Sequence, residues 1–71
     1  MKAPTKAERA TALKVLKFMQ AVAGETRDAA YRRQMRELDV DRRNAASVLW
    51  SVNNRTVQCL RFIIAELEKT T

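Results

Sequence analysis

The chain has 71 residues, of which 46% are hydrophobic, and it contains one Gly and one Pro. This composition excludes a disordered chain and disfavours a β-fold, which needs many turn residues. Fourteen Lys and Arg residues against eight Asp and Glu residues give a net charge of +6, which suits a polyanion or an acidic protein surface as partner. We therefore expect one small all-α domain over residues 1–71, built as a bundle of three to four helices or as a helical hairpin with a long C-terminal helix. A homodimer is also expected, because so short a chain buries little of its surface alone.

The first predicted helix begins at Thr5. Thr5 and Glu8 have the spacing of a capping box, in which each side chain binds the backbone amide of the other residue. Apolar residues follow at spacings of three and four, which is the period of a helix with one apolar side. Gly24 is placed to end this helix. The predicted apolar stripe consists of Ala12, Val15, Leu16, Met19, Val22 and Ala23.

A second, weaker helix is predicted over residues 26–38, where a narrow apolar stripe runs among several arginines. This stripe consists of Ala30, Tyr31, Met35 and Leu38. A turn containing Asp39 and Asp41 follows, and Asp41 is the expected N-cap of the next helix. Two carboxylates without further ligands do not make a metal site, so none is predicted.

Two structures compete for the chain from Arg42 onward. A single helix to about Lys69 places nine apolar residues within one half of its circumference, which favours a continuous helix. These residues are Ala45, Val48, Leu49, Val52, Cys59, Leu60, Ile63, Ile64 and Leu67. Two observations disfavour a continuous helix: the Ser and Asn residues over 51–54 are poor helix formers, and Asn53 would lie on the apolar side. The continuous helix is the favoured alternative.

Residues 51–60 carry the pattern that indicates the other alternative. A small residue precedes an apolar residue, three polar residues and then apolar residues at helical spacing. The residues in these roles are Ser51, Val52, Asn53, Asn54, Arg55, Val57 and Leu60. Their order resembles the turn and second helix of the helix-turn-helix DNA-binding class, within residues 45–61. The segment departs from the class pattern because Ser51 replaces the usual turn glycine and Ser47 stands at the buried small position.

The resemblance implies that a second helix enters the major groove of DNA. Asn and Gln can pair with adenine and Arg with guanine, so polar side chains on the outer arc of this helix suit base recognition. The candidate DNA-binding residues are Asn54, Arg55, Gln58 and Arg61. In a continuous helix, the same residues would form a solvent-exposed polar side.

Cations elsewhere in the chain are candidates for contacts with phosphate or with an acidic partner. These cations are Lys14, Lys17, Arg32, Arg33, Arg42 and Arg43. Because Glu37, Asp39 and Asp41 lie close to the arginines in sequence, an intramolecular salt-bridged surface is the favoured interpretation of the arginine pairs.

Phe62 lies opposite the apolar side of the C-terminal helix, where burial within a monomer is difficult. An aromatic residue beside arginine is typical of protein interfaces. We therefore expect an oligomer or partner interface formed by Phe62, Ile63 and Leu67. Trp50 is expected in the core, and Cys59 is expected to be a small buried hydrophobic residue.

Several classes of function and location are disfavoured. The chain has no His, no glycine-rich phosphate loop and no nucleophile with a candidate base, so we expect no enzyme, cofactor, metal or small-molecule substrate. Cys59 is the single cysteine, which excludes an internal disulfide and favours a reducing cytoplasm. No apolar run is long enough for a membrane span.

Two functions remain. The first is a small basic transcriptional regulator of phage or plasmid type that binds double-stranded DNA. The second is a small helical, phage-like protein that binds an acidic protein surface, modulates or inhibits a host protein complex and does not bind DNA. The helix-turn-helix resemblance favours the first function. Whether residues 51–54 are helical distinguishes the two structures.

Overall fold

The computed structural model describes residues 2–70, which form two long α-helices joined by a short loop. Helix α1 spans Lys6–Arg36 and helix α2 spans Val40–Lys69. The helices pack along their length as an antiparallel hairpin of 52 × 18 × 17 Å, and the described residues contain no strand. The expected all-α fold is confirmed in the form of a hairpin with a long C-terminal helix. The alternative bundle of three to four helices is not found in the described chain.

The N-terminal end of α1 is fixed by the predicted capping box. The Glu8 backbone N–H donates to Thr5 Oγ1 at 3.1 Å, and the Thr5 N–H donates to Glu8 Oε1 at 3.1 Å. The first of these bonds satisfies an amide that lacks a partner within the helix. Two hydrogen bonds lower the pKa of the Glu8 carboxyl below its usual value of 4.5. The bond from the Thr5 backbone has the larger effect, and the bond with the Thr5 side chain has the smaller one. The predicted helix start is confirmed.

Helix α1 continues through Gly24, so the predicted end of the helix at this residue is wrong. Gly24 does not have the positive φ that a glycine at a helix C-terminus would adopt. The helix ends only at Arg36, and the segment predicted as a separate helix is its second half. The reason is that α1 packs on α2 on both sides of the glycine, where Ala23 and Ala30 are buried. This packing outweighs the cost of about 1 kcal/mol for glycine in a helix.

A short loop, residues 37–39, joins the helices. Asp39 is the N-cap of α2, and its Oδ1 accepts the backbone N–H of Arg42 at 3.0 Å. The prediction that Asp41 caps this helix is therefore wrong by two residues. Asp39 satisfies a free amide of the first turn, and Asp41 lies within that turn, where its charge interacts favourably with the helix dipole.

Helix α2 runs without a break through residues 51–54, so the favoured continuous helix is confirmed and no turn divides it. Polar side chains in and next to this segment donate hydrogen bonds to backbone carbonyls of the preceding helical turn. Asn53 Nδ2 donates to the Leu49 carbonyl at 2.8 Å, and Thr56 Oγ1 donates to the Val52 carbonyl at 3.0 Å. These bonds satisfy the polar groups, and packing along α1 then outweighs the low helix propensity of the segment.

The contact between the helices, which we call the seam, follows a heptad spacing. Its residues recur alternately at three and four positions, and nearly all are buried or half-buried. On α1 they are Arg9, Leu13, Leu16, Gln20, Ala23, Arg27, Ala30 and Gln34. On α2 they are Ala46, Trp50, Asn53, Val57, Leu60, Ile64 and Leu67. The half of the seam near the chain termini is mostly aliphatic, whereas the half near the loop contains small and polar side chains.

Only part of the predicted N-terminal stripe enters the seam. Leu16 and Ala23 do so, whereas Val15, Met19 and Val22 are each about half exposed. A single partner helix covers a narrow strip of each helix, and an apolar stripe wider than about 100° exceeds it. The hairpin therefore leaves much of the apolar stripe on its surface.

Candidate interaction surfaces

Residues one position before the seam lie on the same side of the hairpin in both helices. The residue before a seam residue lies about 100° from it around the helix axis. Because both helices are right-handed and run in opposite directions, this rotation points to the same side of the hairpin in α1 and in α2. A shallow depression lined by Arg33 of α1 and by Ala45 and Leu49 of α2 lies on this side. We call the uncharged part of this side the apolar face. It consists of Ala12, Val15, Met19, Val22, Thr26 and Ala29 of α1 and Ala45, Leu49, Val52, Thr56, Cys59 and Ile63 of α2.

The apolar face is largely exposed and has no charged residue. Val52, for example, is 58% exposed. The two threonine hydroxyls of the face already have partners, because Thr26 Oγ1 donates to the Val22 carbonyl at 2.9 Å and Thr56 Oγ1 to the Val52 carbonyl at 3.0 Å. The threonines therefore offer their methyl groups to a neighbour. Contiguous apolar surfaces of this kind are typical of interaction sites.

Residues one position after the seam form the opposite side, which we call the polar face. An ion pair joins the helices there, with Lys17 Nζ 3.0 Å from Glu68 Oε1. Both side chains are about half exposed, so this pair contributes little to stability. The polar residues of this face are Lys14, Lys17, Asp28, Ser47, Ser51, Asn54, Gln58, Arg61 and Glu68. Outside the loop end, where Tyr31 and Met35 occupy the same positions on α1, this face is compatible with water without any partner.

The four predicted DNA-binding residues lie on the polar face and the outer side of α2. Asn54 is half-buried, and its Oδ1 accepts a hydrogen bond from Arg27 Nη1 at 3.1 Å. This bond joins the two helices and gives Asn54 a structural role that the sequence did not indicate. Gln58 and Arg61 are exposed on the polar face, and Arg55 is exposed on the outer side. Because α2 is uninterrupted, one long helix presents these residues instead of a separate recognition helix.

The predicted interface residues lie on different surfaces. Phe62 is 67% exposed on the outer side of α2, and Ile63 belongs to the apolar face. Leu67 and Trp50 are half-buried in the seam. Cys59 is exposed, so its predicted burial is wrong, because it lies one position outside the seam.

Five arginines gather at the loop end of the hairpin. They are Arg32, Arg33, Arg36, Arg42 and Arg43. Within residues 2–70 none of these arginines forms an ion pair, so the expected salt-bridged surface is not found. The nearest acids instead bind the backbone, since Glu37 Oε1 accepts the Asp39 N–H at 3.2 Å and Asp39 caps α2. The guanidinium groups are therefore available to a partner.

Exposed apolar side chains stand among these arginines. Leu38 is 92% exposed at the tip of the loop and Met35 is 69% exposed, while Tyr31 and Val40 are about half exposed. Of the apolar stripe predicted in this segment only Ala30 is buried, because within residues 2–70 no third helix covers the loop end. We call these four residues and the five arginines the loop-end patch.

The described residues contain neither a metal-binding group nor a membrane-spanning helix. Within residues 2–70, no three acidic, Cys or His side chains come close enough to hold a metal ion. Neither α1 nor α2 contains an apolar segment long enough to cross a membrane. No protein-family model, no curated protein and no solved structure matches this chain.

Proposed function

We propose that this protein is a small helical interaction protein that binds an acidic protein surface through its loop-end patch. The observation that carries this proposal is a set of five arginines that form no ion pair within residues 2–70 and are interleaved with exposed apolar side chains. Arg, Tyr and Met are the residue types enriched at protein interfaces. Leu38 enters an apolar pocket of the partner, and the guanidinium groups bind carboxylates around that pocket.

Binding of double-stranded DNA by a small regulator is the second candidate function. The arginine cluster also suits phosphate groups, and Arg55, Gln58 and Arg61 remain exposed on α2. Two observations favour a protein partner. Helix α2 has no turn that would separate a recognition helix, and the exposed side chains of Met35 and Leu38 match the polar surface of DNA poorly.

The proposed interaction protein is a homodimer and acts in a reducing cytoplasm. Thirteen large hydrophobic residues are substantially exposed in one hairpin. Soluble monomers seldom expose large contiguous apolar patches, and a small chain gains stability by sharing a core. The free thiol of Cys59 suits a reducing compartment. A modulator of a larger complex fits these properties.

Selection of a random peptide library on the immobilised protein tests the proposed partner class. We expect enrichment of acidic peptides with apolar anchors, and Leu38→Ser should weaken their binding at least tenfold, the effect of about 1.4 kcal/mol. Titration of random and selected DNA duplexes at two salt concentrations is the parallel measurement. DNA binding should be weak, independent of sequence and abolished by moderate salt.

Two triple variants provide a matched control, because each removes three positive charges. Arg32→Ala, Arg36→Ala and Arg43→Ala together remove arginines of the loop-end patch. Lys14→Ala, Arg55→Ala and Arg61→Ala together remove cations from the rest of the surface. Acidic peptides should be lost only with the first variant. If instead a duplex binds with sequence preference and only the second variant removes it, the DNA-binding function is correct and the proposed one is wrong.

A further inference from the structure

We infer that the apolar face is covered by the apolar face of a second copy of this chain, so that two hairpins form a four-helix bundle. This inference rests on the proposed homodimer, for which it names the surface. It does not depend on the partner of the loop-end patch.

The spacing of the apolar face is the first argument. Ala12, Val15, Met19 and Val22 repeat the three-and-four spacing of the seam on α1, displaced by one residue. The face positions of α2 repeat it in the same way, from Ala45 to Ile63. Each helix therefore carries two heptad seams about a quarter turn apart, as a helix of a four-helix bundle does when it touches two neighbours.

The accessible area of the hairpin is the second argument. The chain exposes 5766 Å², whereas a compact monomer of 8.1 kDa would expose about 4,500 Å². The difference of about 1,300 Å² is larger than the roughly 800 Å² that each partner buries in a standard protein interface. The excess area is therefore large enough to be accounted for by one interface with a second copy.

The chemistry of the face identifies the occupant as a second copy. A two-fold interface places the same surface on both partners, so any charge in it would meet a like charge near the axis. On this side of the hairpin the charged residues Glu8, Arg33, Arg42 and Glu66 lie only at the two ends, and the twelve positions between them carry no charge. Both threonine hydroxyls donate to carbonyls of their own helix. The face is therefore complementary to itself. A partner that bound through carboxylates would instead select the arginines at the loop end.

Cys59 reports on this interface in the unmodified protein. Its thiol lies on the apolar face and is exposed in the single hairpin. We expect its reaction with a colourless aromatic disulfide reagent to slow at least tenfold as the protein concentration rises through the range in which sedimentation shows monomer becoming dimer. Cysteine in a short unstructured peptide, measured at the same concentrations, controls for the reagent.

Substitutions of two adjacent residues, one on each face, test whether the apolar face forms the dimer interface. Val52→Glu places a charge on the apolar face, whereas Ser51→Glu places it on the polar face one residue away. Sedimentation should show a monomer for Val52→Glu and a dimer for Ser51→Glu. Since Val52→Glu could also unfold a hairpin that depends on its dimer, Thr56→Val provides the opposite change. It should strengthen the dimer severalfold without loss of helical circular dichroism.

The outcomes separate this inference from the proposed function. A monomer at every concentration refutes the homodimer and this inference together. A dimer in which Cys59 reacts at the monomer rate, or one that Thr56→Val does not strengthen, refutes the assignment to the apolar face alone. Binding of acidic peptides to the loop-end patch is measured independently and is unaffected by either result.

Discussion

The two long faces of the hairpin differ sharply although the same two helices form both. The polar face carries an ion pair between Lys17 and Glu68 and is compatible with water. The apolar face has no charge from Ala12 to Ala29 on α1 or from Ala45 to Ile63 on α2, so its exposure to water costs free energy. The difference supports the proposal that a second copy of the chain covers the apolar face.

The seam between these faces explains why so much apolar surface is left. Three of its six buried residues are alanines, at positions 23, 30 and 46. Near the middle of the seam the helices are joined by the hydrogen bond from Arg27 to Asn54 instead of by aliphatic packing. Small and polar seam residues bring the helices together but leave large side chains, such as Leu49 and Val52, outside.

Two leucines on α2 give the largest expected effect and test the contrast between seam and face. Leu60 is 7% exposed in the seam and Leu49 is 46% exposed on the apolar face. At concentrations too low for association, Leu60→Ala should reduce the free energy of unfolding by about 2–5 kcal/mol. Leu49→Ala should cost much less under these conditions and should weaken the dimer. Urea unfolding of both variants measures this, and equal losses would contradict the division into seam and face.

The hydrogen bond between the helices is the next test. Asn54→Ala leaves the Arg27 guanidinium without this partner, so the free energy of unfolding should fall by about 1–2 kcal/mol. Gln58 is exposed on the same face and forms no hydrogen bond to another side chain within residues 2–70. Gln58→Ala is therefore the matched control and should change stability by less than about 0.5 kcal/mol. Thermal unfolding followed by circular dichroism compares the two. If the control loses as much stability as Asn54→Ala, the hydrogen bond is not the cause.

A substitution at Gly24 should give a smaller change in the free energy of unfolding, and this change should be a gain. A Cβ atom added at this residue would meet no atom within 4 Å beyond its chain neighbours and the local helix backbone, and the residue is already helical. Gly24→Ala should therefore stabilise the hairpin by about 0.5–1 kcal/mol through lower entropy of the unfolded chain. Chemical unfolding measures the gain. A loss of stability would indicate that the polar face is covered at this point, which would break the contrast between the two faces.

The capping box gives the smallest expected effect, and it depends on pH. The pKa of Glu8 is lowered in the folded chain, so its carboxylate contributes to the free energy of unfolding. This contribution is fully present above the unfolded pKa of 4.5 and is lost as the pH falls through the lowered pKa of the folded chain. Stability measured at pH 7 and at successive values below 4.5 should fall for the natural chain. Glu8→Gln should have a shallower dependence over the same range. An unchanged slope in this variant would show that other carboxylates cause the acid sensitivity.

The sequence alone determined the helical class and the capping box at Thr5, and it favoured a continuous α2 over a turn. Each depended on local chemistry or on a long periodic pattern. Thr5 and Glu8 bind each other within one turn, and the apolar residues of α2 keep one phase over its whole length. The exposure of Phe62 followed from the same periodicity, since it lies opposite that apolar side.

Tertiary structure decided which part of each apolar stripe became the seam and what remained outside. Gly24, whose local preference suggested a helix end, lies within α1 because packing on α2 continues past it. Cys59 and Leu60 share one stripe in the sequence, yet Cys59 is exposed and Leu60 is buried. Periodicity gives the direction of a side chain about its own helix, whereas burial also requires a neighbour on that side. The apolar face is therefore recognisable only once the two helices are paired.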